Sequence, residues 1–124
     1  MSTARSVSVT LVNQTDQVLS RGTFGLAGGM WGNGNSAVPP EQIAPRDSRS
    51  WSSVSNGYRT GTEGFANYII GGNPSSTVNL AWDDPYAYTG ANRYSGQCSD
   101  SRYQVLTQGG TGDNAVVVFT LKYA

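Results

Sequence analysis

The chain has 124 residues, enough for one domain that buries roughly two thirds of the surface its unfolded form exposes. Eight basic residues balance eight acidic ones and stand singly along the sequence, so no basic stripe offers itself to nucleic acid. The absence of histidine removes serine-histidine and cysteine-histidine catalysis together with the commonest zinc ligand, and the single Cys98 excludes an internal disulfide.

The opening "MSTARSVSVTLVNQ" has no apolar core of signal-peptide length, so the chain is expected to be made in the cytoplasm, then kept there or exported by an unusual route. Within it, Val7, Val9 and Leu11 alternate with Ser8 and Thr10, which predicts a half-buried strand over residues 6–12. "NQTDQ" follows as a turn, then "VLSRGTFGLAGGMW" as one or two strands interrupted by glycine. Pro39, Pro40 and Pro45 make "GNGNSAVPPEQIAPRDS" a long loop, since they suit neither helix interiors nor central strands.

"SWSSVS" and "EGFANYII" flank Asn56-Gly57, a pair that fits a tight hairpin. "GGNPSS" at 71–76 is another turn, and "TVNLAW" then places Val78, Leu80 and Trp82 on one side. After "SRYQVLTQ", the glycines of "GGTGDN" turn the chain into "AVVVFTLKY", a longer and more apolar strand that suits a central position. No window carries helical periodicity and no apolar run nears the roughly 20 residues of a spanning helix. The fold expected is an all-β, single-domain antiparallel sandwich or barrel spanning residues 1–124.

Few residue groups could carry chemistry. Asp83 and Asp84 beside Glu63 suggest glycosidase carboxylates, but strand neighbours point to opposite faces, and turn chemistry at the Asp-Pro corner is the simpler expectation. "DDP" supplies too few oxygens for calcium, and "GGTGDN" lacks the lysine of a phosphate loop. The Asn13-Gln14-Thr15 sequon matters only in a secretory pathway. No enzyme activity, metal or cofactor is expected.

Aromatic residues in turn-rich segments remain: Trp31, Tyr58, Tyr86, Tyr88 and Tyr94. They suit plugs for the ends of a sandwich, a membrane interface, or stacking on sugars. Trp82 continues the inward pattern of Val78 and Leu80 and is expected in the core. Glu63, between glycines in "GTEGFANY", suits a solvated loop or an acceptor for a ligand hydroxyl or amine.

The ordered set "VSVTLVNQT", "MWG", "TEG", "WDDPY", "GANRYS" and "GGTGDNAVVVFTL" resembles the aegerolysins, small β-sandwich proteins that bind membrane lipids, over most of the chain. The resemblance implies a sphingolipid headgroup site formed by Trp31, Glu63 and Tyr86, with Tyr88 beside them and Trp82 and Asp83 in support. Where aegerolysins carry a lysine after the "WD-x-P" motif, this chain has Arg93 as a candidate substitute. It further implies a non-enzymatic targeting subunit of a two-component toxin, with a membrane-attack-complex/perforin partner making the pore. Such a protein would be stored as crystal or released, and would act at a target-cell surface. A lectin-like module holding a sugar through Trp31, Glu63 and Asp83 is the alternative, and a homodimeric storage protein a third. The first two need rings from separate turns gathered at one pole around a lone carboxylate, Glu63.

Overall fold

In the computed structural model, residues 5–57, 60–86 and 91–124 are described. They form ten strands: β1 (Ser6–Asn13), β2 (Leu19–Gly28), β3 (Met30–Trp31), β4 (Gln42–Ile43), β5 (Ser48–Val54), β6 (Thr62–Ile70), β7 (Asn73–Asp84), β8 (Arg93–Cys98), β9 (Tyr103–Gly109) and β10 (Asn114–Tyr123). One sheet runs β3-β5-β1-β10-β9 and the other β4-β2-β6-β7-β8, which is an all-β sandwich and not a barrel. The proline loop contributes one helical turn at its start and the short edge strand β4, so its expected irregularity largely holds.

Alternation decides which faces meet. Val7, Val9 and Leu11 from β1 and Val117, Phe119 and Leu121 from β10 are fully buried, and face Tyr68, Val78, Leu80 and Trp82 of the other sheet. Each large apolar side chain removed from water in this way contributes about 1.5–3 kcal/mol. β10 is internal to its sheet, as its apolar content predicts. The mostly antiparallel ladders include one exception: β1 and β10 run parallel, with Ser6 opposite Asn114 and Asn13 opposite Leu121. Every intervening strand separates these two in the sequence, so no tight turn dictates their relative direction.

Turn residues act as expected at two places. Gly71 and Gly72 carry φ of 60° and 74° and join β6 to β7 with Ile70 opposite Asn73, a two-residue hairpin that requires positive φ at both positions. The expected turn at 71–76 is thus shorter, and Pro74 and Ser75 already belong to β7. Gly109, Gly110 and Gly112 also have positive φ where the chain turns from β9 to β10. Asn56-Gly57, in contrast, makes no hairpin. It lies in the connection that carries the chain from β5 in one sheet to β6 in the other, and those strands do not pair. The one helical turn among the described residues, α1 (Gly32–Asn35), has left-handed dihedrals at Asn33, Gly34 and Asn35.

A column of rings fills the interior. Phe24, Trp31, Trp82, Trp51 and Tyr68 stand in succession with centroids 6.0–6.2 Å apart, within the range of favourable tilted aromatic pairs. Trp31, expected near the surface, is therefore a half-buried wedge that continues the core outward.

Candidate functional site

The starts of β6 and the ends of β2 and β7 converge at one end of the sandwich. There a cleft of about 560 Å³ is lined by Gly28, Gly29, Asn56, Thr60, Gly61, Thr62, Glu63, Asp83, Pro85 and Tyr86. Glu63 lies on β6, not in a loop, and is exposed. Its register partner on β7 is Asp83, so two acids share one face across the ladder. The expected lone carboxylate is thus a cross-strand pair. The separation of Asp83 from Asp84 follows from strand alternation, which turns Asp83 outward and buries Asp84.

A second cleft of about 490 Å³ shares Glu63 and Asp83 and adds Trp82, Arg93, Tyr94 and Ser95. Arg93 pairs with Asp83 in register, and its Nη2 stands 3.6 Å from Asp83 Oδ2. With Arg93 80% exposed, this ion pair contributes at most about 1 kcal/mol, and its cation is open to solvent. The structure therefore brings Glu63, Asp83, Tyr86 and Arg93 to one region, with Trp82 behind them. Trp31 is not among the residues lining either cleft and packs against Phe24 and Trp82. Tyr88 and Tyr58 lie outside the described residues. Tyr94 is on β8, not in a loop: it packs on the core, its hydroxyl donates to Gly110 O at 2.8 Å, and burial pushes its phenol pKa up.

The wall behind the first cleft is polar and dry. Trp82 Nε1 donates to Ser53 Oγ at 3.0 Å, and Thr62 Oγ1 lies 2.7 Å from the same oxygen and 3.2 Å from Gly28 O. Gly61 and Gly64 fit this wall because a side chain would not. A Cβ on Gly64 would lie 2.6 Å from Trp82 and 2.7 Å from Leu26, and one on Gly61 2.5 Å from Asp84 O. Close approach is therefore the reason for glycine on either side of Thr62 and Glu63.

Two residues at this end escaped the sequence reading. Asp84 was assigned to a turn, yet it is 1% exposed, and burial pushes its carboxyl pKa up to about 6 against the attraction of Arg5. The alternation of Val78, Leu80 and Trp82, carried one step further, points Asp84 inward and was the available signal. Arg5 stands 3.8 Å from Asp84, and as one isolated base among several nothing in the sequence marks it.

The other sequence candidates have structural uses. Asn13, of the glycosylation sequon, is 1% exposed and its side-chain amide donates to Gln17 O and Ala44 O, so it braces the first turn. Cys98 is half-buried against the core. Among the described residues no group of acids and cysteine is placed to hold a metal ion.

Fold and site together define a two-sheet β-sandwich protein with an acidic, ring-bearing cleft at one end. Residues 4–120 match the family model for Aegerolysin, and the chain belongs to that family. A segment of 76 residues, 61% of this chain, is 36% identical to an uncharacterized protein of Dictyostelium discoideum, of which it spans only 6%. Among solved structures, RahU, crystallised in complex with a Tris molecule, is similar with a TM-score of 0.81 over 99% of this chain and 98% of its own, at 20% identity. The lipid-binding protein Nakanori is similar with a TM-score of 0.83 over 98% of this chain and 72% of its own, at 12% identity. At those identities the likeness is one of fold.

Proposed function

We propose that this protein binds membrane lipid, recognising a sphingolipid headgroup in the cleft between Glu63, Asp83 and Tyr86. The observation that carries it is the convergence of these three side chains on one cleft at the end of the sandwich. Tyr86 would lie at headgroup level, where an amphipathic ring is favoured, and the two carboxylates would accept hydrogen bonds from a headgroup amine. Arg93, exposed beside Asp83, would face the lipid phosphate. Membership of the aegerolysin family and the fold shared with a lipid-binding protein support this assignment.

The role is that of a binding protein, not an enzyme. Asp84, the one carboxyl near the site with a raised pKa, is not among the residues lining either cleft. Among the described residues no helix is long and apolar enough to cross a membrane. On its family membership we assign it the targeting role in a two-component toxin, acting at a target-cell surface with a pore-forming partner of the membrane-attack-complex/perforin type. Sedimentation with vesicles containing sphingomyelin or ceramide phosphoethanolamine, against phosphatidylcholine alone, tests the headgroup assignment. Binding to the sphingolipid vesicles alone is expected. Equal binding to all three removes the specificity, and complete displacement by free sugars would favour a lectin.

A further inference from the structure

Arg5 joins several parts of this end of the molecule. Its Nε donates to Pro85 O at 3.3 Å and lies 3.8 Å from Asp84 Oδ1, its Nη1 lies 3.4 Å from Asp113 Oδ2, and its guanidinium carbon stands 4.8 Å from the centroid of Tyr86. The Arg5 side chain is 14% exposed and Asp84 1%, whereas Asp113 is 68% exposed and screened by water. Asp84 Oδ2 has no hydrogen-bond partner among the described residues. A buried, half-satisfied carboxylate opposes folding, and an apolar side chain of similar volume would serve stability as well. Its position beside Pro85 and Tyr86 offers another use.

We propose that Arg5 and Asp84 form a latch that holds the Pro85-Tyr86 corner in the cleft, and that protonation of Asp84 releases it. This rests on the assignment of the cleft as the headgroup site. With Asp84 ionised, its charge holds the guanidinium over the Tyr86 ring and against Pro85 O, so the ring has a fixed position before lipid arrives. The other groups facing Asp84 are Asp113 from the β9-β10 turn, Asp83 beside it in β7 and the Tyr94 phenol from β8. Both acids disfavour the ionised form, and Arg5 alone among these charges favours it. A proton taken from water neutralises Asp84 and removes one of the charges that hold Arg5 against Pro85 O and the Tyr86 ring, which weakens the hold on the corner.

Tyrosine ring resonances measured by NMR across pH test the latch without lipid. The Tyr86 signals, identified by their loss in Tyr86→Phe, are expected to move with a midpoint near 6, where burial places Asp84. This movement should vanish in Asp84→Asn and in Arg5→Lys, which keeps the charge but loses the planar fork. In parallel, binding to ceramide phosphoethanolamine vesicles should weaken about fivefold between about pH 7.5 and about pH 5 in the unaltered protein, and stay level in Asp84→Asn. Tyr86 signals that ignore pH, or binding that ignores pH while they move, overturn the latch. A ring that titrates as expected in a protein that binds none of the vesicles upholds the latch and overturns the headgroup assignment instead.

Discussion

The indole N–H of Trp82, on one sheet, donates to the hydroxyl of Ser53, on the other, in a part of the core that excludes water. Ser53 is thus the acceptor that makes a buried tryptophan N–H tolerable behind the cleft. Ser53→Ala should destabilise the protein by about 1–3 kcal/mol, because the donor stays buried and loses its partner. Urea unfolding should show a lower midpoint with an unchanged slope. An unchanged midpoint would mean that this bond holds nothing.

Glu63→Gln and Tyr86→Ala, made separately and checked for folding by circular dichroism, should each weaken binding to sphingolipid vesicles. The tyrosine change removes apolar area worth about 1–3 kcal/mol if the ring inserts fully. Full vesicle binding by both variants would dispose of the cleft as the lipid site.

Asp84 gives stability a dependence on pH with a definite sign. Its carboxyl pKa is raised from 3.8 to about 6 in the folded protein, so the folded state holds the extra proton between those values. The stability this group contributes is complete below its unfolded pKa and is lost as pH rises through about 6. Relative to the unaltered protein, Asp84→Asn should therefore be more stable at neutral pH than it is near pH 4. Parallel melting curves at the two pH values, with a constant difference between variants, would contradict this.

Gly61→Ala tests the packing that positions Tyr86. The added methyl would stand 2.5 Å from Asp84 O and 2.8 Å from Pro85 Cα, both backbone atoms, so the corner must shift. A loss of about 1–3 kcal/mol of stability, together with weaker vesicle binding, is expected from such overpacking. Wild-type behaviour in both assays would show that the corner moves freely.

Binding should be nearly indifferent to salt. The formal net charge is zero, and near the cleft the exposed Arg93 is matched by the partly buried Asp83. Vesicle binding that collapses between low and physiological salt would point instead to attraction by anionic lipid.

Where alternation governs, the sequence was sufficient. Val7, Val9 and Leu11 and the face of Val117, Phe119 and Leu121 are buried as their spacing requires. Pairing across the sandwich was not legible: Asn56-Gly57 has the chemistry of a hairpin, but local turn chemistry does not reveal whether the flanking strands share a sheet. At the site, the sequence motifs mark Glu63, Asp83, Tyr86 and Arg93, and the structure gathers them. The cross-strand facing of Glu63 and Asp83 depends on a register that only tertiary pairing fixes. The sequence leaves Trp31 open between a surface ring and a plug for the sandwich end, because glycine neighbours signal a loop in either case and its contacts come from distant residues. Asp84 was missed because its turn-forming neighbour Pro85 masked the period that buries it.

The parallel pairing of β1 with β10 has a consequence for synthesis. Since β10 lies between β1 and β9, β1 leaves the ribosome well before the neighbour it needs on that side, with every strand from β2 to β9 made between them. Until then one edge of β1 lacks its hydrogen-bonding partner, and this sheet cannot be completed before β10 has been made. Nascent chains stalled before residue 114 should accordingly recruit chaperones and resist compaction, while chains in which β10 is complete and free to pair should not.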